Sequence, residues 1–78
     1  MNTLINHTIL NSYPVPTGIE TEVLYTFSDG NVVKVIQTHS YPKNKEEIIS
    51  NIISRGETEL EKVNILANVP NILNELNN

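Results

Sequence analysis

The chain has 78 residues, a mass of 8.8 kDa and a formal charge of −4, from five Lys and Arg against nine Asp and Glu. A chain of this length holds one domain, and with no cysteine it has no disulfide framework, thiol nucleophile or Cys-built zinc site. Five scattered basic residues argue against affinity driven by nucleic-acid phosphate, and no apolar run approaches the ~20 residues a membrane-spanning helix needs. Residues 1–10 lack the basic and apolar stretches of a signal peptide, so the expected location is a host cytoplasm or a virion assembled there. A core this small leaves only about 3–5 kcal/mol of surplus stability, which makes association with other chains a natural route to a stable fold.

In chain order, residues 1–12 carry Leu4, Ile5, Ile9 and Leu10, which predict a strand with imperfect alternation. Residues 13–20, from Tyr13-Pro14-Val15-Pro16 to Gly18-Ile19-Glu20, predict a loop or an extended connector. Residues 21–39 are two β-branched and aromatic runs around Ser28-Asp29-Gly30, the pattern of a hairpin. A two-residue turn would pair Phe27 with Val32. A three-residue turn pairs Tyr25 with Val33 and Val23 with Val35, and gathers Val23, Tyr25, Phe27, Val33 and Val35 on one face. Register follows the cleaner burial pattern, so the three-residue turn is preferred. The opposite face then keeps Leu24, Val32 and Ile36 among polar neighbours.

Residues 44–76 change period. Asn44 with Glu47 three residues later is a capping box, and Ile49, Ile53, Gly56, Leu60, Val63 and Ala67 recur at steps of four and three, the seam of an amphipathic helix about 35 Å long. Gly56 is either a break between two helices or a close packing point within one; the unslipped seam favours one helix. Pro70 is expected to stop or kink it and to open a short second helix over 70–76. The fold class is α+β: a hairpin, extended to three strands if the N-terminal segment pairs, packed on one long helix and a short C-terminal one.

Chemistry-bearing constellations are absent from the pattern. His7 and His39 have no partner at a catalytic or metal-binding spacing and read as surface or strand-end side chains. The serines lack a nucleophile-elbow context, and Gly18, Gly30 and Gly56 lie too far apart for a phosphate-cradling loop. Asp29 is explained by turn chemistry, and Glu46, Glu47, Glu57, Glu59, Glu61 and Glu75 by a solvated helix face. The expected protein is therefore not an enzyme and takes no cofactor, metal, small-molecule substrate, nucleic acid or membrane. Its candidate partner-binding residues are Leu24, Val32 and Ile36 on the second hairpin face, Tyr13 and Tyr41 before prolines, and Ile49, Ile53 and Leu60 on the helix seam.

Residues 23–62 carry Tyr25-Thr26-Phe27-Ser28-Asp29-Gly30, Val32-Val33, His39, Pro42, Glu46-Glu47-Ile48 and Arg55-Gly56-Glu57-Thr58-Glu59. In that order they resemble small uncharacterised proteins of tailed bacteriophages. The resemblance implies a virion component or accessory factor with a non-enzymatic, structural role and assigns no functional residue. The expected function is a small structural or assembly component that self-associates or docks on a larger protein assembly; the alternative is a small inhibitor that blocks a host defence enzyme.

Overall fold

The computed structural model describes residues 2–78. It is a three-stranded antiparallel meander, β1 (Leu4–Val15), β2 (Gly18–Phe27) and β3 (Val32–Ser40) in the order β1-β2-β3, followed by one helix, α1 (Lys45–Leu76). The hairpin forms in the expected register, with Tyr25 opposite Val33 and Val23 opposite Val35. Gly30, at φ 88°, supplies the left-handed residue that the three-residue turn requires. Asp29 closes the turn by accepting from the backbone N–H of Asn31 at 2.9 Å.

The N-terminal segment is a strand, and its poor alternation has a structural cause. Register shifts between Leu4 and Asn6 and between Ile9 and Asn11 make Ile5 and Leu10 the extra residues of two bulges, both exposed. Between the bulges His7 and Ile9 return to the face that carries Tyr25 and Val23. The expected connector over residues 13–20 is not a loop. Strand β1 runs to Val15 and β2 begins at Gly18, so only Pro16 and Thr17 turn the chain. Pro14 is tolerated because β1 is an edge strand, where the N–H that proline lacks has no ladder partner to satisfy. Gly18 is fixed by proximity, since a Cβ there would collide with the carbonyl oxygen of His39.

Helix α1 starts at Asn44, whose side chain accepts from the N–H of Glu47 at 2.9 Å. The Glu47 carboxylate reaches back one residue further than a capping box requires and accepts from the N–H of Lys43. The helix crosses the sheet over a core of Val23, Tyr25, Phe27, Val35 and Ile52, with Leu4, Val33, Ile48, Ile49, Leu60 and Val63 packed around it. It is unbroken at Gly56, which is buried because the ring of Tyr25 and the side chain of Leu4 lie against it. The phenol of Tyr25 donates to the carbonyl of Ile52 at 2.7 Å, pinning sheet to helix one turn before that glycine.

Two expectations about the helix are corrected. The separate helix over 70–76 does not exist: α1 continues through Pro70 to Leu76. The proline forfeits one hydrogen bond, to the carbonyl of Leu66, without ending the helix. The sheet-facing line also lies nearer Ile52, Gly56, Glu59 and Val63 than the seam drawn through Ile53 and Ala67, both of which are exposed.

Candidate functional site

The buried polar groups form structural ties. His39 is at a strand end, the next-to-last residue of β3, but it is 2% exposed and not at the surface. Its Nδ1 accepts from Asn51 Nδ2 at 3.1 Å, leaving Nε2–H to donate to Thr21 Oγ1 at 2.9 Å, and that hydroxyl donates on to the carbonyl of Gln37 at 3.5 Å. Burial holds the imidazole below its ordinary pKa. Both ring nitrogens have a protein partner, so the imidazole joins α1 to β2 and β3 and presents no free base. Glu59 departs from the expected solvated face in the same way: it is nearly buried and paired with Arg55 at 3.2 Å and Lys62 at 3.0 Å. Burial pushes its carboxyl up, and the two cations outweigh burial and hold it below the usual carboxylate range.

The sheet face opposite the helix is a lattice of short polar contacts. Glu20 accepts from the phenol of Tyr13 at 2.7 Å and the hydroxyl of Thr38 at 3.2 Å. The Tyr13 phenol is pushed up to about 12, first by that hydrogen bond. Glu22 pairs with Lys34 at 3.0 Å. Leu24, Val32 and Ile36 share this face as expected, with Val32 and Ile36 more than half exposed. They are not contiguous, because Lys34 stands opposite Leu24 and between the other two. Tyr41 is 77% exposed with a left-handed backbone (φ 49°). Ile49 and Leu60 pack on the core, while Ile53 is exposed on the flank of the helix.

Open grooves flank the helix. The largest, about 990 Å³, runs between the β2–β3 turn and the helix and is rimmed by Asp29, Glu57 and Glu61. The second, about 490 Å³, lies between Ile9, Ile19 and the start of α1. No three His, Cys, Asp or Glu among the described residues stand close enough to hold a metal ion.

In the sequence, residues 70–76 have an apolar side through Ile72, Leu73 and Leu76, but nothing there reveals that they continue α1. Asn2 bonds the β2–β3 turn, accepting from the N–H of Asp29 at 3.1 Å, and its own N–H donates to Asn64 Oδ1 at 3.0 Å. Among the described residues, Asn64 is the last helix residue hydrogen-bonded outside the helix, to Asn2 just before β1. The molecule measures 52 × 22 × 16 Å because α1 continues past that point for about 18 Å. On this overhang Ile65, Leu66, Ile72, Leu73 and Leu76 are all exposed. The signal was present as the spacing 65, 66, 69, 72, 73, 76, but Pro70 divides it and conceals that one helix carries all six positions. The chain matches no family model, no curated protein and no solved structure. No helix among the described residues is long and apolar enough to cross a membrane.

Proposed function

We propose that this protein acts by protein–protein contact, as a small structural or assembly component that pairs with copies of itself or docks on a larger assembly, and that it performs no catalysis. One observation carries the reading: the last third of α1 holds five large aliphatic side chains that are 43% to 74% exposed and take no part in the core. This 12-residue extension, residues 65–76, contains Pro70 and is not packed on the core, so an apolar surface that covers it stabilises it. The exposed Val32, Ile36, Tyr41 and Ile53 extend the contact surface, and the virion setting implied by the phage resemblance is one in which such a component serves. The acidic rim of Asp29, Glu57 and Glu61 supports a second reading, an inhibitor seated on a basic face of a host enzyme. Light scattering coupled to size exclusion separates the two. A mass that rises with concentration supports assembly through self-contact; a fixed monomer mass sinks self-association and favours the inhibitor.

A further inference from the structure

The overhang has a geometry that selects its partner. At 100° per residue, Val69 and Leu76 lie on the midline of its apolar face, Ile65 and Ile72 on one side and Leu66 and Leu73 on the other. This face is turned about 130°, rather more than a third of the helix circumference, away from the line of Ile52, Gly56 and Val63 that meets the sheet. It is a separate surface, not a continuation of the core. Asn64, Asn68 and Asn71 occupy the opposite side, and Glu75 is the only charged residue after Lys62.

We propose that the overhang is the interface between two copies of this chain, whose C-terminal helix ends pair antiparallel about a two-fold axis at Val69. The proposal deepens the contact reading above and rests on it. In this arrangement Val69 meets the partner's Val69, Ile65 lies beside the partner's Ile72 and Leu66 beside the partner's Leu73, so both flanking rows are matched with like-shaped aliphatic side chains. Three observations favour a second copy.

The first is area. Ile65, Leu66, Ile72, Leu73 and Leu76 are between 43% and 74% exposed. At about 200 Å² for a fully exposed Leu or Ile, they present about 580 Å² per copy, so two such faces bury at most about 1,200 Å², the lower end of specific interfaces. The second is charge. The last turn of α1 has no basic residue to complement its carbonyls. Antiparallel pairing sets the partner's Lys62 beside Leu76, at that end, whereas parallel pairing stacks the two uncomplemented ends together. The third is the polar face. A helix that lies on a membrane surface carries Lys and Arg there, and this one carries asparagine.

The chain has no cysteine, so single substitutions report geometry directly. Val69→Cys, Leu76→Cys and the double variant Lys62→Cys/Leu76→Cys are oxidised at about 100 μM, well above a micromolar dissociation constant. Val69 and Leu76 lie outside the core, Lys62→Cys leaves the Glu59 carboxylate paired with Arg55 alone, and circular dichroism checks that each variant keeps its fold. The proposal expects Val69→Cys and the double variant to form covalent dimers and Leu76→Cys alone to stay monomeric. Cross-linking of Leu76→Cys alone establishes a parallel pair and overturns the antiparallel one. A chain that is dimeric by light scattering but cross-links at none of these sites overturns this interface and leaves the contact reading standing. A chain that is monomeric at that concentration overturns the pairing and self-association together, and binding to phosphatidylglycerol vesicles by that monomer assigns the face to a membrane.

Discussion

Substituting Gly56 by alanine tests how α1 is seated. In an exposed helix interior the change would stabilise by about 1 kcal/mol. Here the added Cβ falls 2.9 Å from Tyr25 Cε1 and 2.9 Å from Leu4 Cδ2, against ordinary carbon contacts of about 3.5–4.0 Å. Leu4 can rotate away, but the Tyr25 ring is fully buried and its hydroxyl is held by Ile52, so helix and sheet must separate by several tenths of an ångström. Overpacking of this kind costs about 1–3 kcal/mol, and after the propensity gain the net expectation is a loss of about 1 kcal/mol. For a domain of this size that lowers Tm by roughly 4–8 °C. Urea unfolding at fixed protein concentration, with Leu4→Ala as a second background, measures it. The loss should shrink but persist in that background, because the aromatic contact remains. A stabilised Gly56→Ala variant would refute the close seating of α1 on Tyr25.

Other expectations follow from the same contacts. Tyr25→Phe should cost about 1 kcal/mol in chemical denaturation, since the lost bond is buried while the Ile52 carbonyl keeps its helical partner. Asn44→Ala should cost about 1 kcal/mol through the lost helix cap. His39 and Glu59 both have folded pKa values below their unfolded ones. The contribution of His39 is fully present above about pH 6.5 and is lost as pH falls through its folded value. That of Glu59 is present above about pH 4.5 and is lost in the same direction at lower pH. Stability measured against pH should therefore decline in acid in two stages, and His39→Gln should remove the earlier one. Pro70→Ala should restore a bond to the Leu66 carbonyl and slow amide exchange over 71–76 while leaving global stability little changed, because those residues do not touch the core.

Much of the sheet was legible because its signals are local. The Asp29-Gly30 turn and the alternation of Val23, Tyr25 and Phe27 set a register that one face alone could bury, and the Asn44 cap set the start of the helix. Strand β1 was harder, since the bulges at Ile5 and Leu10 break the period of two and Pro14 and Pro16 mimic a loop on an edge that tolerates proline. The buried state of His39 and Glu59 was not legible because their partners Thr21, Asn51, Arg55 and Lys62 are ordinary surface residue types, and only the fold shows that they converge. On the helix, the sequence leaves Gly56 as either a break or a close contact, and Tyr25 decides for contact. Pro70 divides the apolar end in the sequence because proline commonly terminates helices, whereas the loss of one hydrogen bond leaves the backbone here helical.

Amide hydrogen exchange across residues 65–76, followed over a dilution series, tests most directly whether the end of α1 is covered by another chain. Protection that is strong at high concentration, fades on dilution and disappears with Leu73→Glu is the predicted result. Protection independent of concentration, or none at any concentration, would contradict it.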